Sequence, residues 1–148
     1  QGGHTPNMRF SYKLSDAIHI LAYIHINQTN DLSSKSIAGS IGANASVVRS
    51  LMLDLRAAGL LTTRQGVATP ALAREPATIS LYDVYQAINM THQLLHIDPK
   101  TNPDCFVGSR IQDTLNHFYT EIEVAAFQKM QAISLADVIH DLVTNEQK

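Results

Sequence analysis

The segment from Ser34 to Leu53 constrains this chain more than any other. With Ser34 as the first position, Ala38 is fifth, Gly42 ninth, Val48 fifteenth and Leu51 eighteenth, and Ile37 and Ile41 add apolar residues at the fourth and eighth. Two short helices crossing at roughly 90–120° through a turn of three or four residues need this combination. A small residue must sit where the helices touch, a glycine must take positive φ in the turn, and apolar side chains must face the crossing. A plain helical hairpin within a bundle is the alternative that the same spacing allows.

The flanking sequence supports a mainly helical chain. Leu14, Ala17, Ile18, Leu21 and Ile24 keep helical spacing and predict a helix from Ser11 to about Gln28. Ser33 and Asn44 are placed as N-caps for the two short helices, with Leu32 and Ile37 as a hydrophobic staple. Leu60 to Arg64 and Ala71 to Arg74 flank Gln65-Gly66-Val67 and Pro70, which predicts a small hairpin. Ser80 with Asp83 and Ser134 with Asp137 read as capping boxes, opening helices to about Thr91 and Val143. From Val107 onward Ile111, Leu115, Phe118, Ile122, Ala125, Ala126 and Met130 mark a long helix. Seven glycines and five prolines in 148 residues are too few for a turn-rich all-β protein.

Those elements divide the chain into an expected helix-turn-helix unit with a hairpin wing over 8–91, a loop over 92–106, and a long helix with a final helix over 107–148. Gln1 to Asn7 read as a cloning remnant before a start at Met8. Charge is uneven: Met8 to Glu75 holds seven basic residues against four acidic, whereas Pro76 to Lys148 holds four against nine. A basic first half suggests an anionic partner for that half alone. No apolar run suits a membrane span or a secretory leader, so a cytoplasmic protein without membrane contact is expected.

A helix-turn-helix meets duplex DNA through the first turns of its second helix. Asn44, Ser46, Val47, Arg49 and Ser50 occupy those positions, and Val47 has an alternative place in the core. Arg49 is the best candidate base reader, because a guanidinium bonds both acceptors of a guanine edge; a phosphate contact is the alternative. Ser34 and Lys35 stand at the N-terminus of the preceding helix, where free amides suit a phosphate. Arg64 near the wing tip and Arg9 ahead of the first helix complete the basic set.

Several stretches resemble the Rrf-two family of winged helix-turn-helix transcriptional regulators. They are Met8-Arg9-Phe10-Ser11, the run Ser33 to Ala38, Ala57 to Leu61, and above all Leu72 to Ile88, with its order of hairpin, proline and Ile79-Ser80-Leu81. The resemblance spans Met8 to Leu142 and is closest to the YwnA-like branch, which lacks the three-cysteine iron–sulfur motif. It implies a homodimeric DNA-binding protein, usually a repressor of a palindromic operator, that docks through its long helix. Two departures stand out. Ala68-Thr69-Pro70-Ala71 replaces the usual Gly-Gly-Tyr of the wing, and only Cys105 matches a cluster cysteine, with His92, His96 and Asp98 where the other two belong.

An iron–sulfur cluster is therefore not expected, nor any other cofactor. Cys105 is a candidate redox sensor, being the one thiol of the chain and placed just before a long helix. His92 and His96, with Asp98 or Cys105, are a weaker metal-binding alternative, and solvated histidines are the expectation. The near-heptad spacing of Ile111, Phe118 and Ala125, with Leu115 and Ile122 between, predicts a seam for a second copy; covering the chain's own core is the alternative. No phosphate-cradling loop, nucleophile elbow or zinc-protease motif is present, so an enzyme is not expected. The competing functions are a winged-helix module that contacts only protein, and a Cys/His-dependent enzyme.

Overall fold

The computed structural model describes residues 11–63, 69–88 and 94–145. Arg9, Arg64, His92 and the turn Gln65-Gly66-Val67 lie outside the described residues. The elements run α1 (Lys13–Ile26), α2 (Ser34–Ile41), α3 (Ala45–Ala57), β1 (Leu61–Thr63), β2 (Pro70–Leu72), a 3-10 turn (Pro76–Thr78), α4 (Leu81–Ala87), α5 (Ile111–Ala132) and α6 (Leu135–Thr144). This is the mainly α architecture with a small two-stranded antiparallel sheet that the sequence predicts.

The caps act as expected. Ser33 accepts the Ser36 amide, and Gly42 ends α2 in the left-handed region at φ 82°, where a side chain would be strained. Asn44 accepts the Val47 amide at the start of α3. Gly59 repeats the left-handed turn at φ 79°, so the chain reverses from α3 into β1. In the hairpin Leu61 pairs with Leu72, Thr62 with Ala71 and Thr63 with Pro70. Pro70 is the first residue of its strand, a position that tolerates a missing N–H.

One apolar core joins most of these elements. Ile20, Leu21 and Ile24 of α1 meet Ile37 of α2, Val48 and Leu55 of α3, Val84 and Ile88 around α4, and Leu135 of α6, all fully buried. Removing a side chain of this size from water contributes roughly 1.5–3 kcal/mol each. The long helix stands apart from this arrangement. Its one buried residue is Glu123, while Phe118 and Ile122 are 53% and 52% exposed.

Three boundaries differ from the expectation. The first helix is two residues shorter at each end than the predicted span from Ser11 to about Gln28. Helix α4 ends at Ala87 rather than near Thr91, which lies outside the described residues. The long helix begins at Ile111 rather than Val107. In the four residues before it the backbone makes turns, with the Ser109 amide on the Cys105 carbonyl at 2.9 Å. The Thr101 hydroxyl donates to the Gly108 carbonyl at 2.6 Å, and Gly108 is pressed against the Asn102 backbone. That close approach holds the segment off the helical path.

Candidate nucleic-acid interface

Helix α3 buries one stripe and exposes the rest. Val48, Leu51, Met52 and Leu55 face the core. At roughly 100° per residue, the side pointing directly away from this stripe carries Ser46, Ser50 and Leu53, all exposed, with Leu53 at 63%. Val47 is 39% exposed, which removes it from the core and leaves it available at the surface. Arg49 is exposed beside this face, on the flank nearest α2.

Two of the candidate residues already have local work. The Asn44 side-chain oxygen accepts both the Val47 amide at 3.0 Å and the Ser46 hydroxyl at 2.7 Å. Its amide nitrogen is the group left to meet a partner. The two side chains thus shape the first turn of α3 as well as lying on its surface.

At the start of α2, Ser34 is half-buried and Lys35 exposed. Asp31 also reaches this end: it accepts the Ser33 amide at 2.9 Å and the Ser36 hydroxyl at 2.6 Å. Those bonds, led by the Ser36 hydroxyl, hold its carboxyl below the usual carboxylate range. A negative charge therefore already stands where the dipole and free amides would attract a phosphate. Ser34, Arg49, Met52, Leu53 and Arg56 line a shallow cleft between α2 and α3. Arg56 escaped the sequence reading, although its place seven residues after Arg49 puts both on one helical line.

Cys105 is exposed. The backbone amides of Gly108 and then Val107 hold its thiol below the ordinary value, because both stabilise the thiolate. The neighbouring Phe106 ring carries the Arg110 guanidinium 4.0 Å from its centre. His96 and Asp98 are exposed, and the Asp98 carboxylate accepts the Lys100 amide at 2.8 Å. Among the described residues no group of three or more His, Cys, Asp or Glu side chains could hold a metal. A single thiol does not match the ligand set of an iron–sulfur cluster.

The predicted seam residues separate into two sets. Ile111, Leu115, Phe118, Ile122 and Ala125 follow one line along α5, half-buried at its start and exposed from Phe118 onward. Ala126 and Met130 are half-buried and lie round the helix toward α4, beside Glu123 and Phe127. The Phe127 ring packs on Tyr82 and Tyr85 of α4 at 5.3 and 5.4 Å between centroids. Glu123, 9% exposed, accepts the Leu94 amide at 2.6 Å and the Leu95 amide at 3.4 Å. Its role was not foreseen, although Tyr119, Glu123 and Phe127 share a four-residue spacing.

No helix among the described residues is long and apolar enough to cross a membrane. Residues 10–141 match the Rrf2 (Rrf-two) family model, described as an iron-dependent transcriptional regulator. The HTH-type regulator YwnA of Bacillus subtilis strain 168 is 36% identical over 130 residues, 88% of this chain and 96% of its own length. A crystal structure described as a DNA-binding protein is 35% identical, with a TM-score of 0.68 over 86% of this chain and 98% of that one. CymR, the global cysteine regulator of B. subtilis, shares the fold at 19% identity and a TM-score of 0.62, over 90% of this chain and 97% of its own. These proteins are regulators rather than enzymes. With its helix-turn-helix, its wing and a family match covering most of its length, the chain belongs to the Rrf2 family of transcriptional regulators.

Proposed function

We propose that the protein is a cytoplasmic homodimer that represses transcription by binding a palindromic operator, with Cys105 as the residue through which oxidants alter its affinity. The observation that carries this reading is the pair of unpartnered surfaces. Helix α3 presents Asn44, Ser46, Val47, Arg49 and Ser50 at its solvent side, and α5 presents Phe118 and Ile122. A second copy on the α5 seam would remove those apolar side chains from water and relate two α3 helices by a two-fold axis. Half-sites about one helical turn apart, or a small multiple of it, then follow.

The division of labour is a DNA-binding unit over 8–91, a sensing loop over 92–106 and a dimerisation unit over 107–148. Lys35, Arg9 and Arg64 would add phosphate contacts around α3. The donor set supports action without an iron–sulfur cluster, so DNA binding would need neither iron nor sulfide. Modification of Cys105 would act between α4 and α5, where a change in the loop alters the spacing of the two α3 helices. Binding to DNA is favoured over a purely protein-contacting winged helix because α3 exposes Ser46, Arg49, Ser50 and Arg56 around Val47 and Leu53, a mixed polar and basic surface rather than a continuous apolar patch.

Genomic footprinting with the purified protein, followed by a gel shift on the recovered site, tests this. The expected result is one salt-sensitive complex on a palindrome, with two chains per duplex. Binding of no duplex at any salt concentration would overturn it and favour the protein-contact module.

A further inference from the structure

Arg49 and Arg56 share an edge of α3, and this edge is separate from the face that points straight out. Counting about 100° and 1.5 Å per residue, Arg56 lies about 20° from the line of Arg49 and about 10 Å further along the axis. Ser46, Ser50 and Leu53 are the residues opposite the buried stripe. The two arginines instead border the cleft of about 220 Å³ that Ser34 closes from the α2 side. Both are exposed, and among the described residues neither has a carboxylate partner within ion-pair distance. Arg74, by contrast, is held by Asp83 at 3.5 Å.

We propose that Arg49 and Arg56 form a two-point clamp on the phosphates of one DNA strand, leaving base reading to the outward face of Ser46 and Ser50. The inference rests on the DNA-binding reading and deepens it. When the outward face enters a major groove, the flanking edge meets the groove wall, which is sugar and phosphate. Two guanidiniums about 10 Å apart along the helix span more than one phosphate of a strand that carries a charge every 3.4 Å or so of axis. Met52 and Leu53 complete the lining of this cleft between the two arginines. Asp31 makes the α2 terminus a poorer anion site than this edge, since its carboxylate already sits there.

The test measures affinity for the footprinted operator and for a random duplex of equal length across a salt series. Variants are Arg49→Ala, Arg56→Ala, Arg49→Lys and Arg56→Lys, with Lys129→Ala on α5 as a remote control and thermal melting as a check of folding. Each alanine should lower both affinities by a similar factor, about tenfold, and reduce the salt slope by about 0.9. Lysine should restore most of the loss, because a phosphate accepts a point charge whereas a guanine edge needs the planar fork. An Arg49→Ala loss confined to the operator and unrepaired by lysine would overturn the clamp, as would an Arg56→Ala variant with unchanged slope. Wild-type protein that binds neither duplex would overturn the DNA-binding reading itself, and the clamp with it.

Discussion

Ser80 and Ser134 face each other in an isolated antiparallel bridge, and each is also the N-cap of a helix. The Leu81 amide donates to the Ile133 carbonyl at 2.9 Å, and the Leu135 amide to the Ile79 carbonyl at 2.7 Å. Each serine accepts the amide of an aspartate three residues on, and that aspartate accepts the serine's own amide. Two capping boxes 54 positions apart are thus joined back to back, and the bridge ties the end of the long helix to the start of α4.

Ser80→Ala and Ser134→Ala should each destabilise the fold by about 0.5–2 kcal/mol, the usual range for a lost cap. Because the two caps share a bridge, the double variant should depart from additivity. Urea unfolding of the four proteins measures this; strict additivity would show that the bridge transmits nothing.

Phe118→Asp combined with Ile122→Asp should convert dimers to monomers. A carboxylate in an apolar seam has no partner to offset its desolvation, yet both positions are exposed in the single chain, so the monomer should still fold. Sedimentation gives the mass and circular dichroism the helix content. An unchanged dimer would place the interface elsewhere.

Glu123→Ala should cost about 1–3 kcal/mol, since it strips two amides of their buried acceptor. Glu123→Gln keeps an acceptor oxygen and should cost less. Hydrogen exchange at Leu94 and Leu95 should quicken in the alanine variant before exchange elsewhere does. Glu123 also contributes, after burial and ahead of Tyr82, to raising the Tyr85 hydroxyl above its ordinary value. Removing the charge should therefore move the Tyr85 titration downward, readable by ultraviolet absorbance.

Asp31 has a folded value below its ordinary 3.8, set first by the Ser36 hydroxyl and then by the Ser33 amide. The stability it contributes is complete above that ordinary value and is lost as pH falls through the lowered folded value. Asp31→Asn should lower stability at neutral pH, where this contribution is complete, and flatten the acid limb of the profile. A wild-type acid limb that persists in the variant would remove Asp31 as a cause.

Oxidant titrated against operator affinity should separate wild type from Cys105→Ser. The thiol is held below its ordinary value by the Gly108 and Val107 amides, so more thiolate is present at neutral pH than in a free cysteine. Wild-type affinity should change as sulfenic acid or a mixed disulfide forms, and a reducing thiol should restore it. Equal sensitivity in both proteins would end the thiol proposal.

Some of this molecule follows from local chemistry and some does not. The caps at Ser33, Asn44, Ser80 and Ser134 were legible because a cap uses atoms within three residues of one another. The turns at Gly42 and Gly59 were legible because one residue type tolerates that backbone conformation. The start of α5 was not, because Val107 has helical spacing but Gly108 is held by Thr101 and Asn102, contacts that no periodicity reveals. The candidate interface was half legible. Asn44, Ser46 and Arg49 lie at the predicted start of the second helix, but which of them faces outward depends on how α3 packs.

By itself the sequence determined the helices, their caps, the crossing of α2 with α3 and the family, since each rests on spacings of a few residues or on matched motifs. Only the tertiary structure decided that Ala126 and Met130 turn toward α4 while Phe118 and Ile122 remain open, that Glu123 is buried, and that Asp31 occupies the α2 terminus. These outcomes depend on what lies across from a side chain, and a helix of uniform period does not encode its neighbours.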